Sequence, residues 1–320
     1  MNTAAPFRVS VGIMAYNEAA NIGRLLDALG EQSGTAFAIA QIVVVSSAST
    51  DGTDGIVRDR ARRDPRITLV VEDQKRGKAT AVNLFLDRCQ GEVAVLQSAD
   101  TLPQPGTFQA LCAPFADPAV GMVGAHPVPT NPRQGLVHQL GHLLWDMHHE
   151  VSLIAPKTGE LVAFRPVVGR IDPAIICDED YVRILIERRG LRVVYAPDAI
   201  CANRAPSTWG EFLRQRYRID AGEIALVETV GFQCPTMHSA TLVRAVSRYL
   251  RRHPGRVGLV GLAMTIEGTV RLCAWSRVAA LRQTPEHNWA LLASTKALGQ
   301  ATRRAEVLGA PGMPTVATVR

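Results

Sequence analysis

Acidic side chains stand at two places where a backbone element should begin or end. Cys177-Asp178-Glu179-Asp180 opens a stretch with helical spacing. Adjacent acids suit a helix N-terminus, whose unpaired amides favour negative charge. Crowded carboxylates also raise one another's pKa, which prepares one of them to take the proton of a weakly nucleophilic hydroxyl. Asp180 is the candidate base, with Glu179 beside it and Asp178 as the fallback. The apolar run from Val93 finishes in Ser98-Ala99-Asp100, and carboxylate oxygen is what a hard divalent cation such as Mg2+ or Mn2+ takes as a ligand.

Basic and amide groups complement these acids. Gly77-Lys78 lies at the mouth of a helical stretch, so the lysine adds to the positive end of a helix, where anionic oxygens bind. Gln215 and Arg218 are spaced i, i+3, hence on one helix face, and a guanidinium can hold a phosphate through two parallel hydrogen bonds. His138, His142, Trp145 and His149 also recur on one helix face. A sugar or lipid-phosphate pocket would fit that face, and helix packing is the simpler account.

The elements that position these groups follow from hydrophobic periodicity. Strands are expected at residues 7–15, 41–46, 67–72 and 93–97, alternating with helices at 19–29, 52–63 and 78–88. That rhythm predicts an α/β fold with a mostly parallel central sheet flanked by helices. Ligands then bind beyond the carboxyl ends of the strands, so Tyr16-Asn17-Glu18, the residues from Ser47 to Asp51, and Ser98-Ala99-Asp100 should meet on one edge. Further on the alternation loosens: helix 135–151, strand 160–164, helix 180–189, strand 191–195 and helix 209–225.

Composition narrows the class. The chain has 320 residues, 47% hydrophobic and 20% charged, which is ordinary for a globular protein. Six dispersed cysteines with no CxxC pair suggest neither a disulfide framework nor a zinc ribbon, and a reducing, cytoplasmic setting is expected. The first residues do not look like a targeting segment. Neither a GxGxxG after the first strand nor a P-loop is present, which weighs against a dehydrogenase and a P-loop NTPase.

The net charge of +6 is unevenly placed, since residues 241–284 hold eight arginines against the single acid Glu267, leaving 27 basic and 28 acidic residues elsewhere. The apolar run 257–266 is too short to span a bilayer, Glu267 and Arg271 are spaced for an i, i+4 pair, and arginines around Trp275 suit an in-plane helix on an anionic membrane. No nucleic-acid partner is expected, with 5% aromatics and no binding module.

Taken in order, these pieces resemble glycosyltransferase family 2 over about residues 8–220. Gly12-Ile-Met-Ala15-Tyr16-Asn-Glu18 is similar to the turn that there holds the nucleoside, which implies Ala15, Tyr16 and Glu18 as nucleotide contacts. The run from Ile42 to Thr53 resembles a strand that in the family ends in two aspartates, with Ser46 and Ser47 in their places. Ser98-Ala99-Asp100 resembles the Asp-x-Asp metal motif with its first aspartate replaced, and Asn203 stands where the family often has a histidine. Gly77-Lys78 with Asn83, Glu179-Asp180 and Gln215-x-x-Arg218 match later motifs, but Ile219 replaces the tryptophan of processive polysaccharide synthases.

The resemblance implies a GT-A fold over residues 1–230, with a nucleotide-binding half at 7–126 and an acceptor half at 127–230, followed by a basic helical extension and tail at 231–320. It implies a non-processive, inverting transfer from a UDP- or GDP-sugar to a hydroxyl of a glycan, lipid or small metabolite. Asp180 and Glu179 would be catalytic. Ser47, Lys78, Ala99 and Asp100 would join the nucleotide contacts, Gln215 and Arg218 would hold the diphosphate, and Asp100 would ligate Mg2+ or Mn2+. Two alternatives are a catalytically weakened nucleotide-sugar-binding protein and a polyprenyl-phosphate sugar transferase at the inner membrane face.

Overall fold

Strand β1 (Phe7–Ala15) sends alternate side chains into two layers. In the computed structural model, which describes residues 5–282 and 293–296, Val9, Val11 and Ile13 pack in the same core as Ile22, Leu25, Leu26 and Leu29 of helix α1 (Ile22–Gly30). Gly12 faces the other layer, where a Cβ would stand 2.4 Å from the ring of Phe85. Glycine is what lets the helix that carries Phe85 approach the strand.

The first half continues as β2 (Phe37–Ser47), α2 (Thr53–Ala61), β3 (Ile67–Glu72), α3 (Lys78–Leu86) and β4 (Val93–Ser98). All three neighbouring pairs, β3–β2, β2–β1 and β1–β4, are parallel. Ile42 to Val45 are fully buried, as expected of a strand covered on both faces. The second half comprises β5 (Leu102–Pro103), α4 (Thr107–Cys112), β6 (Val120–Pro129), α5 (Leu136–Ser152), β7 (Leu161–Phe164), α6 (Asp178–Arg188), β8 (Arg192–Asn203) and α7 (Trp209–Val230). The eight strands lie in the order β3-β2-β1-β4-β7-β6-β8-β5, with β7 antiparallel to both of its neighbours, so the sheet is mixed beyond β4.

Periodicity overlooked strands β5 and β6 and helix α4, and it shortened strands β2 and β8. Strand β6 contains Gly121, Gly124, Pro127 and Pro129, which weaken the strand signal. A Cβ at Gly121 would lie 2.5 Å from Leu191, and the register shifts between Gly124 and His126, so those glycines and prolines belong to tight packing and a bulge. Helix α4 has only six residues, too few for a clear helical period. Strand β8 runs on past Tyr195, through Pro197, to Asn203.

Helices α8 (Ser239–Arg252) and α9 (Val257–Trp275) complete a helical layer with α5 and α7, built on Leu140, Leu143, Phe212, Tyr249, Val260 and Ala263. The expected Glu267–Arg271 pair within α9 does not form. Glu267 instead pairs with Arg216 of α7 at 2.7 Å, and Arg271 with Asp220 and Glu223, both at 2.9 Å. Asp220 and Glu223 are buried acids that need a cation, and this demand outweighs a weak exposed pair along one helix. Likewise Glu150 of α5, also buried, takes Arg248 and Arg252. Part of the basic charge of the extension therefore neutralises the body of the protein.

The helical span around α9, Pro254–Ala280, is longer than the ten-residue apolar run suggested, and among the described residues it is the one helix long and apolar enough to cross a membrane. One side is pinned to α7. Val257, Met264, Leu272 and Trp275 are each more than half exposed. Of the C-terminal tail expected at 231–320, residues 283–292 and 297–320 lie outside the described part.

Candidate active site

A cleft of about 750 Å³ opens at the carboxyl ends of β1, β2 and β4 and continues past the starts of α3, β7 and α6 to the inner face of α7. Ala15, Tyr16, Glu18, Ser47, Lys78, Ala99, Asp100, Asp178, Glu179, Asp180, Gln215 and Arg218 all line it. The structure thus brings every sequence-predicted site residue to one place.

At the nucleotide end, the turns after β1 and β2 lock together. Asn17 adopts φ 53° and Ala48 φ 56°, both left-handed, and Asn17 Oδ1 accepts a 2.8 Å hydrogen bond from the Thr50 amide. This pairing fixes the spacing of the two strand ends. The Glu18 amide donates to Thr53 Oγ1 at 2.8 Å, which directs the Glu18 carboxyl inward beneath the turn. Burial pushes that carboxyl up to about 7, although it accepts from Asn21 and pairs with Lys296. The Tyr16 ring carries the Lys75 ammonium 4.2 Å from its centre. Ser47 donates a 2.6 Å hydrogen bond to Glu72, a buried acid at the end of β3.

Beyond it, Asp100 sits on a turn held by Thr101, whose hydroxyl donates to the Ser98 carbonyl at 3.0 Å. Lys296 reaches this turn from the C-terminal segment, with Nζ 3.8 Å from Asp100. Asn203, at the end of β8, is buried, and among the described residues its Oδ1 has no hydrogen-bond partner. An unpaired buried oxygen beside a carboxylate is chemically suited to a hard cation.

Lys78 departs from the expected arrangement. Rather than standing alone at the start of α3, its ammonium lies 2.5 Å from Glu179 and 3.1 Å from Asp178. Burial works to raise the Glu179 pKa, but Lys78 outweighs it and holds Glu179 at about 2. Asp178 is pushed to about 7, first by burial and then by the charge of Glu179. Glu179 is therefore a fixed anion bound to Lys78.

Asp180 lies at the start of α6, facing the loop that carries Lys157 and Thr158. Thr158 Oγ1 donates to its Oδ1 at 2.8 Å, and Cys234 Sγ approaches Oδ2 at 3.4 Å. Burial raises its pKa, the Lys157 ammonium pulls it back, and Glu223 raises it again. The upward shift comes mainly from burial, and the neighbouring acids of the Asp178-Glu179-Asp180 run are not what produces it. Ligand atoms of Asp180, Glu223 and Cys234 lie within 4.8 Å of one another, a set that could accept a cation, and Lys157, 2.7 Å from Glu223, already brings a positive charge to it. His148 of α5 also lines the cleft. It is buried, and burial together with the charge of Lys157 pushes it down to about 3, so it stays neutral.

Lys157, Glu160, Glu223, Lys296 and His148 were not singled out by sequence reasoning. Glu223 lies on the helix that carries Gln215-x-x-Arg218, but about 80° around it from Gln215, so helical spacing gave little signal for it. The others sit in loops, in the distant tail, or at a position one residue off the expected histidine face.

Such a sheet, with acids and arginine gathered beyond its strand ends, defines a nucleotide-sugar transferase of GT-A architecture. The chain belongs to glycosyl transferase family 2, whose model matches residues 10–180, more than half of it. It is 25% identical over 231 residues to glycosyltransferase AglE of Haloferax volcanii, covering 70% of this chain and 75% of that one. It is 24% identical to an N-acetylglucosaminyltransferase of Mesorhizobium japonicum, over 66% of this chain and 54% of that one. Among solved structures it resembles the mannosyltransferase PcManGT of Pyrobaculum calidifontis in complex with GDP-Man and Mn2+, with 26% identity, a TM-score of 0.58, and coverage of 87% and 76%. Apart from AglE, the chain spans about half or somewhat more of the bacterial N-acetylglucosaminyltransferases it matches.

Proposed function

We propose an inverting, non-processive sugar transfer from a nucleoside diphosphate donor to the hydroxyl of an acceptor met at a membrane surface. The observation that carries this reading is the placement of Asp180: a carboxylate with a raised pKa lies in the same cleft as Glu18, Asp100 and Arg218, on the side away from the nucleotide end. A carboxylate held there takes the acceptor proton as the hydroxyl oxygen attacks the anomeric carbon, and the nucleoside diphosphate leaves on the opposite face. Tyr16, Glu18 and Ser47 would hold the nucleoside, and Arg218 with Gln215 the diphosphate. Lys78 acts through Glu179, positioning the start of α6 and with it Asp180.

Asp100 and Asn203 Oδ1 suit Mg2+ or Mn2+ as oxygen ligands. When bound, such a cation neutralises the charge that grows on the leaving diphosphate. That the related mannosyltransferase holds GDP-Man with Mn2+ supports this donor and cofactor class. Ile219 lines the cleft without the indole that a processive enzyme would offer a growing chain, which supports single transfers.

The lipid-acceptor reading is favoured by the far arm of the cleft. Leu143, Leu144, Leu242, Val246, Val260 and Met264, from α5, α8 and α9, line it beyond the carboxylates. An apolar arm next to the exposed apolar face of α9 and the exposed Arg244, Arg251 and Arg277 suits an isoprenoid or acyl chain entering from an anionic membrane. The test is turnover of a panel of UDP- and GDP-sugars with polyprenyl phosphate, soluble glycans and water as acceptors, with Mn2+ or EDTA. Metal-dependent transfer to the lipid alone supports the full reading; transfer only to soluble glycans removes the membrane part, and retained anomeric configuration in the product removes the single displacement.

A further inference from the structure

Two serines of this chain stand where the resembling family has aspartate, and each has a glutamate next to it across the sheet: Glu72 at the end of β3 and Glu160 just before β7. Ser47 is in register with Glu72 across β2 and β3, and its hydroxyl binds the Glu72 carboxylate at 2.6 Å. Ser98 lies one step beyond the Gln97–Leu161 pair of β4 and β7, and its amide donates to the Glu160 carbonyl at 3.0 Å. Glu160 and Ser98 both line the cleft.

Glu160 carries further signs of a functional position. Its φ of 52° is left-handed, a conformation that costs energy for a residue with a side chain and that persists where surrounding structure imposes it. No lysine or arginine among the described residues forms an ion pair with it, in contrast to Glu18, Glu72 and Glu179. On the other flank of the turn, the Leu102–Ala202 pair sets Asn203 opposite Thr101, next to Asp100, with its buried Oδ1 unpaired. Lys296 already brings a positive charge to within 3.8 Å of Asp100.

We infer that Glu160 is a ligand of the divalent cation, completing with Asp100 and Asn203 Oδ1 an all-oxygen set in which the residue just before β7 provides the carboxylate that position 98 lacks. This rests on the metal-dependent reading above and adds a residue to it.

The test is Mn2+ binding to the full chain, followed by electron paramagnetic resonance of free Mn2+ with UDP or GDP present. Glu160→Gln should weaken binding at least ten-fold, Asp100→Asn should weaken it at least as much, and Ser98→Asp combined with Glu160→Gln should restore most of the loss. Circular dichroism and nucleotide binding in the absence of metal verify folding of each variant. If Glu160→Gln binds Mn2+ like the parent while Asp100→Asn does not, Glu160 is no ligand and only this inference falls. If the parent chain binds no Mn2+ with either nucleotide, the metal-dependent reading falls and takes the inference with it.

Discussion

Thr158 Oγ1 donates a 2.8 Å hydrogen bond to Asp180 Oδ1, from a loop whose preceding residue, Lys157, reaches past it to Glu223 at 2.7 Å. The loop therefore orients the carboxylate and moderates its basicity together. With Asp180 as base, Asp180→Asn should lower kcat by about 10²- to 10⁴-fold while donor KM changes little. Steady-state kinetics with saturating acceptor would decide it, and unchanged kcat would remove Asp180 from the chemistry.

The same geometry sets the pH dependence. Burial raises the Asp180 pKa and Lys157 lowers it, so the rate should fall as pH drops through the raised value and the base is protonated. Lys157→Met removes the lowering charge, and the acid limb of the kcat profile should move to higher pH. A limb that moves to lower pH would contradict the assignment of either residue.

Arg271 links α9 to α7 through hydrogen bonds to Asp220 and Glu223. Its removal leaves Asp220, fully buried, without its hydrogen-bonded cation. Arg271→Met should destabilise the protein by about 2 kcal/mol, the usual range for hydrogen bonds to charged groups. The readout is the urea midpoint at constant slope.

Lys296 competes with any cation for Asp100. Charges roughly 4 Å apart repel by about 1 to 4 kcal/mol near a protein surface, and a flexible ammonium can swing away from part of that. Lys296→Ala should lower the Mn2+ concentration that gives half-maximal activity by about 3- to 10-fold. A rise instead would make Lys296 a donor-binding group.

Membrane engagement through α8 and α9 predicts a salt-sensitive partition onto anionic vesicles and little onto neutral ones. Arg251→Gln should reduce that partition about five-fold, corresponding to roughly 1 kcal/mol for one arginine near the surface. Combining Leu272→Ser with Trp275→Ala, both exposed on α9, should reduce it further at every salt concentration. Vesicle co-sedimentation reads both effects, and equal binding to neutral vesicles would count against the charge argument.

What the sequence alone determined is local and periodic. The four parallel strands of the first half, the helices between them, and Glu18, Ser47, Lys78 and Asp100 beyond strand ends could be read because each depends on neighbours within a few residues. Alternation and helical spacing are short-range consequences of side-chain direction. Strand β6 escaped because its glycines and prolines answer to Leu191 and a bulge, which are tertiary matters. Only the tertiary structure decided which charges meet: Lys78 with Asp178 and Glu179, Arg216 with Glu267, Lys157 with Glu223, and Lys296 with Glu18. Their partners lie from 51 to 278 residues away along the chain. Buried charge is stable only when compensated, and the compensating group is selected by proximity in the folded chain, which residue order does not encode in any local pattern.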